Sequence, residues 1–192
     1  MILEDGMTVY HGSYCVVENP NLDECKPGKD FGLGFYVTTD LAQAKRFVAS
    51  SCRKAIIRKD IPEDSKKGFV SSYIYHHNKK NAYYEFENVD KDWLRYVAWN
   101  RKKDFFRNGI DEWEDYDIIA GKIANDTTNE VLANYLNGAF GKADDPLAID
   151  IAIRLLKPGK LKDQICFRTK NTLKCLEFVD SIEVKINENK QA

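Results

Sequence analysis

The chain has 192 residues, with 29 Lys plus Arg against 30 Asp plus Glu and a formal net charge of -1. That length suits one ordinary globular domain, and ten Tyr, ten Phe and three Trp exclude intrinsic disorder. Balanced charge argues against strong non-specific nucleic-acid binding. No run approaches the ~18 consecutive apolar residues of a membrane span, and the five cysteines, without C-x-x-C spacing, disfavour a disulfide framework or a thiol zinc site.

The opening MILEDGMTVY carries acidic first charges and no apolar run. A secretory signal is therefore not expected, and a cytoplasmic protein with reduced thiols is. The expected organisation is one domain over residues 1–186 followed by a polar tail over 187–192. Thr8 to His11 reads as a short strand ending in Gly12-Ser13. Lys29 to Asp40 (KDFGLGFYVTTD) turns at Gly32 and Gly34 before the strand-like Phe35 to Thr38. Asp40 and Gln43 have capping-box spacing, and Leu41, Ala44, Phe47, Val48 and Cys52 recur at helical spacing. A strand is expected over 55–58, a loop over 61–67 and a strand over 69–76; residues 79–88 are ambiguous. Asp90 to Arg107 predicts the clearest helix, stopped at Asn108-Gly109, with a basic group at Arg95, Arg101, Lys102, Lys103 and Arg107. An acidic loop follows at 111–117.

Asp117 to Ala124 (DIIAGKIA) predicts a buried strand, and the cap chemistry of 125–128 opens a helix to about Leu136. Asp145-Pro146 starts another helix, with Leu147, Ile151 and Leu155 as its apolar stripe and Pro158-Gly159 as its end. Asp163 to Arg168 (DQICFR) is strand-like, a short helix follows over 171–176, and 178–186 forms the final strand. The sum is an α+β domain.

Tyr10-His11-Gly12-Ser13, Gly32-Leu33-Gly34-Phe35-Tyr36 and Asp163 to Phe167 each put a functional side chain on or beside a short strand. Singly each is an ordinary strand-end or core feature. Together, in this order, they resemble the ADP-ribosyltransferase superfamily, in its poly(ADP-ribose)-polymerase-like branch with a His-Tyr-Glu triad. The aromatic that follows the tyrosine by eleven positions in that branch is matched by Phe47. Most of the chain also resembles an uncharacterised bacterial domain-of-unknown-function family (DUF3990) placed in that superfamily, whose members resemble candidate toxins encoded beside small partner proteins.

The resemblance implies two split antiparallel sheets with surrounding helices and NAD as substrate. It implies a catalytic set of His11, Tyr36 and Gln164. His11 would hydrogen-bond the adenosine-side ribose, the Gly12 backbone would pair with the nicotinamide amide, and Ser13 would assist there. Tyr36 and Phe47 would flank the nicotinamide ring, with Phe31, Gly32 and Gly34 shaping the wall. The superfamily's glutamate is replaced by Gln164, which binds hydroxyls but cannot act as a base, and its pocket serine by Ala44. Asp126 is the first candidate for an accessory acid, with helix N-cap as its plain alternative.

These expectations define a mono-ADP-ribosyltransferase acting on a macromolecular acceptor, a protein in the first instance. A small antitoxin-like partner, no membrane and no metal accompany that reading. Two alternatives stay open: a catalytically silent NAD-binding or interaction module, and an RNA-contacting protein using the 95–107 helix. Asp30-Phe31-Gly32 looks like a kinase metal-binding triplet but lacks the companion kinase motifs. His76 and His77, adjacent on a strand, face opposite sides and read as surface residues.

Overall fold

A computed structural model of the chain describes residues 3–103, 106, 111–123, 126–157 and 161–186, the side chains of Asp126 and Thr127 excepted. Local signals set most element boundaries. In chain order the elements are β1 (Thr8–Ser13), β2 (Phe35–Val37), α1 (Leu41–Ile57), β3 (Lys67–Tyr75), β4 (Tyr83–Glu85), α2 (Lys91–Arg101), β5 (Ile118–Lys122), α3 (Asp126–Leu136), α4 (Pro146–Leu156), β6 (Asp163–Phe167), α5 (Lys170–Leu173) and β7 (Leu176–Lys185). Three helices begin on an aspartate whose carboxylate accepts otherwise unpaired first-turn amides. Asp40 accepts from Gln43 N at 3.1 Å, Asp90 from Asp92 and Trp93 at 3.0 Å, and Asp145 from Leu147 at 3.0 Å.

The chain forms two compact units from interleaved segments. One gathers Asn21–Phe35 and Lys79–Thr172; the other gathers Leu3–Pro20, Tyr36–Asn78 and the chain from Leu173. In the first, the sheet order runs β6-β5-β4, and Phe35 is the unit's last residue before the chain leaves it. β5 and β6 are antiparallel, pairing Gly121 with Gln164, whereas β4 and β5 are parallel. The core beside them is aromatic. Phe31, Phe86 and Tyr96 stack with centroids 5.4–6.2 Å apart, and Trp113 meets Phe86 at 5.3 Å. Burial pushes the Tyr96 phenol up to about 12, so it stays protonated in that cluster.

In the second unit, antiparallel strands run β1-β3-β7. Helix α1 buries Ala44, Val48 and Cys52 together with Val70 of β3, with Tyr10, Tyr14, Leu41 and Ile61 packed around them. No helix among the described residues is long and apolar enough to cross a membrane. The five cysteines are all free thiols.

Four expectations change. Residues 55–57 are the last turn of α1, not a strand: once the capped helix is under way, its buried face continues through Cys52 and Ala55. Helix α2 stops at Arg101, where Lys102 turns extended at φ -147 and ψ 91. Its expected stop at Asn108-Gly109, like Pro158-Gly159 after α4 and the 187–192 tail, lies outside the described residues. The sheets are not wholly antiparallel, because β4 returns alongside β5. Finally, the Leu147, Ile151, Leu155 stripe of α4 does not form its buried face. Leu147 is 64% and Leu155 48% exposed, while Ala148, Ile149, Ala152 and Leu156 are buried.

Small alanines let α4 sit close on its neighbours α2 and α3. Leu155→Gln is therefore expected to change stability by no more than about 0.5 kcal/mol. Ala152→Leu should cost about 1–3 kcal/mol through overpacking. Urea midpoints for the two variants check this; equal losses would contradict the observed burial.

Candidate functional site

The residues singled out by motif fall into two sets, one in each unit. In the second unit, Tyr10 and Thr38 exchange backbone hydrogen bonds at 2.8 and 3.0 Å, tying β1 to the chain just past β2. One residue along, His11 Nδ1 lies 2.7 Å from the Tyr36 carbonyl oxygen. A carbonyl only accepts, so Nδ1 carries the proton and Nε2 holds the lone pair in the neutral ring. His11 and Tyr36, 25 positions apart, are thereby fixed side by side.

Gly12 and Ser13 follow on the same strand. A Cβ at Gly12 would lie 2.2 Å from the Ala44 carbonyl oxygen and 3.3 Å from Phe47 Cβ. The glycine thus has a packing reason of its own, which is the closeness of α1. Phe47 stands on that helix 43% exposed. Ser13 is buried, its Oγ 4.0 Å from Cys15 Sγ.

In the first unit, Gln164 sits on β6 and is only 5% exposed. Its Nε2 donates to Asp30 Oδ2 at 2.8 Å. Asp30 is itself buried, and its Oδ1 accepts from Arg101 Nε at 2.9 Å and Nη2 at 2.6 Å. Arg101 Nη1 donates onward to Asn129 Oδ1 at 2.9 Å. Buried charges persist when paired and fully hydrogen-bonded, and this chain of four side chains meets that condition. The acid found beside Gln164 is therefore Asp30. Asp126 opens α3, and its side chain lies outside the described residues.

The glycines and the aromatic expected to shape the wall serve this same region. Phe31 is fully buried in the aromatic core, so its ring anchors the loop from behind. Gly32 has φ +80, and a Cβ there would meet Asn100 Oδ1 at 2.7 Å. A Cβ at Gly34 would lie 2.4 Å from Cys166 Sγ. A cavity of about 340 Å³ in this unit is lined by Gly32, Asn100, Lys103, Tyr116 and Arg168 among others. Of the residues in the motifs, it takes Gly32 and Leu33, and none of His11, Tyr36 or Gln164.

The described members of the basic group have internal partners. Besides Arg101, Arg95 pairs with Asp144 at 3.5 Å, Lys102 Nζ donates to the Leu136 carbonyl at 3.1 Å, and Lys103 lies 3.8 Å from Glu114 of the acidic loop. Arg107 lies outside the described residues. His76 is exposed and pairs with Glu177 at 2.6 Å, and no cluster of metal-ligating side chains occurs among the described residues.

Asp30 and Arg101 are the members of this network whose partnership no local sequence pattern signals. Asp30 stands inside the KDFGLGFY motif, where an acid beside an aromatic is the one local signal. Its partners lie 71 and 134 positions away, beyond any local pattern.

The architecture is that of an α+β protein with one antiparallel and one mixed sheet. The chain belongs to the family described as Protein of unknown function (DUF3990), whose model matches residues 7–178, a span that takes in both motif sets. No curated protein and no solved structure shows a match to the chain.

Proposed function

We propose that this chain has the ADP-ribosyltransferase fold and is an NAD-dependent mono-ADP-ribosyltransferase, moving ADP-ribose from NAD to a macromolecular acceptor, a protein in the first instance. The observation that carries the reading is the 2.7 Å bond from His11 Nδ1 to the Tyr36 carbonyl. It joins the first two residues of the expected catalytic order and leaves Nε2 as the lone-pair end, suited to accepting from a ribose hydroxyl. Tyr36 and the exposed Phe47 supply rings for stacking on nicotinamide, worth roughly 0.5–1.5 kcal/mol per pair. Gln164 contributes an amide oxygen for the hydroxyls of the nicotinamide-side ribose.

In the reaction, the bond from ribose C1′ to the nicotinamide nitrogen breaks and its electron pair leaves with nicotinamide. Positive charge develops on the ribose, the acceptor nucleophile bonds to C1′, and the acceptor's proton passes to solvent. Gln164 stabilises by hydrogen bonding and takes no proton, which fits one transfer per acceptor better than chain elongation. A toxin role, with a small antitoxin-like partner, is the biological setting this activity suggests.

The test is nicotinamide released from NAD, with and without bacterial lysate as acceptor source. His11→Ala and Tyr36→Ala should each lower release by about 100-fold or more, the range for removing one group that acts in the transition state. Stimulation by lysate would mark transfer over hydrolysis. Wild-type release that His11→Ala leaves intact would sink the assignment. A silent NAD-binding module is the second reading, favoured by the neutral amide at 164; it predicts NAD binding with no nicotinamide released. The RNA reading is weakened by the internal partners of Arg95, Arg101, Lys102 and Lys103.

A further inference from the structure

We infer that Asp30 is a positioning residue: it fixes which end of the Gln164 amide meets a ligand, leaving the carbonyl oxygen as the acceptor for a ligand hydroxyl. The identity of that hydroxyl, on the nicotinamide-side ribose of NAD, rests on the function proposed above. The orientation rests on the geometry alone.

The two ends of a glutamine amide have nearly the same shape and opposite chemistry. An unconstrained side chain would offer either the donor or the acceptor. A carboxylate accepts and cannot donate, so Asp30 Oδ2 selects the Gln164 nitrogen, at 2.8 Å. Asp30 cannot swing aside, because its other oxygen takes two guanidinium N–H groups from Arg101, which Asn129 holds in turn. The backbone under Asp30 is also pinned. Gly32 N donates to the Lys29 carbonyl at 3.2 Å, and the Phe31 ring between them is locked against Phe86 and Tyr96. The Gln164 oxygen has no hydrogen-bond partner among the described residues, and it is not one of the fully enclosed unpaired polar atoms. An acceptor left unpartnered on a held amide, and not itself fully enclosed, is what a site for a hydroxyl requires.

The carboxylate also polarises the amide it holds, drawing electron density toward the carbonyl oxygen. Arg101 cancels the net charge. The group so made is a stronger acceptor than a free glutamine and still no base. This accounts for how an amide can occupy the place of a carboxylate and keep its hydroxyl-binding role.

The experiment compares wild type, Asp30→Asn, Gln164→Glu and the double variant. Gln164→Glu sets two carboxylates at hydrogen-bond distance. Two carboxylates at that distance cannot both ionise, so the pair must hold a proton. The folded state then binds more protons than the unfolded one, and stability falls as pH rises above the ordinary carboxylate range of about 4. At neutral pH the single variant should melt about 5 °C or more below wild type, recovering much of the difference near pH 5. The double variant restores one donor and one acceptor with their places exchanged, and should melt near wild type at neutral pH. Additive losses in the double variant would overturn the inference.

The second readout is kcat/KM for nicotinamide release. Asp30→Asn frees the Gln164 amide to turn and should lose about tenfold, with circular dichroism unchanged. The double variant should regain the loss, because an oxygen acceptor again stands at position 164. Asp30→Asn with wild-type kcat/KM would overturn the inference. A wild-type protein that neither binds nor cleaves NAD would overturn the NAD reading instead, and the melting comparison, which uses no NAD, would still decide the role of Asp30.

Discussion

Arg101→Ala is expected to destabilise the protein by about 3–5 kcal/mol, because it leaves the buried Asp30 carboxylate without its cation. The Arg101 side chain is 20% and the Asp30 side chain 7% exposed, so water cannot replace the lost guanidinium at little cost. Arg101 gives Asp30 two hydrogen bonds, through Nε and Nη2, and both are lost with the side chain. An ion pair of this kind adds little net stability over an apolar pair of equal volume, yet breaking one side of it is costly. Arg101→Lys keeps the charge and loses the fork that reaches Asp30 through Nε and Nη2, so it should fall between alanine and wild type. Adding Asp30→Asn to Arg101→Ala should recover part of the loss by removing the stranded charge. Urea unfolding followed by tryptophan fluorescence measures all three; an Arg101→Ala midpoint at the wild-type value would refute the pairing.

Gly12→Ala is the second large effect, at about 3 kcal/mol, the upper part of the overpacking range. The new methyl would sit 2.2 Å from the Ala44 carbonyl oxygen and 3.1 Å from its carbon. Those are backbone atoms of α1 and cannot turn away as a side chain would. Relief requires moving the helix off β1, which opens the core formed by Ala44, Val48, Cys52 and Val70. At this chain length the loss corresponds to roughly 2–4 °C in Tm per kcal/mol. It should appear without any ligand. A normal melt combined with lost NAD binding would assign the glycine to ligand approach instead.

What was legible in the sequence follows the range of the interaction that decides each feature. Helix starts at Asp40, Asp90 and Asp145 were legible because a cap is made within three residues. So were β5 and β6, whose apolar runs are short and bounded. Ile56 and Ile57 misled because β-branched residues favour strands locally, whereas a helix already capped and buried carries them along. The α4 stripe misled because two interleaved apolar faces occur on one helix, and close packing selected the alanine face. Motif order singles out His11, Gly12, Tyr36 and Gln164, and of these the structure joins His11 to Tyr36 within one unit. The Asp30–Arg101 pair was not, since no periodicity links position 30 to position 101.

The interleaving of the two units has a practical consequence for dissecting the protein. The chain crosses from one to the other after Pro20, Phe35, Asn78 and Thr172. No terminal deletion isolates either unit. The longest uninterrupted piece, Lys79–Thr172, carries Arg101, Asn129 and Gln164 but leaves behind the aspartate that holds two of them together. Fragment complementation between 1–78 and 79–192 would rejoin that network across the cut, so its recovery of a cooperative melt would report the assembly of Asp30 with its partners in trans.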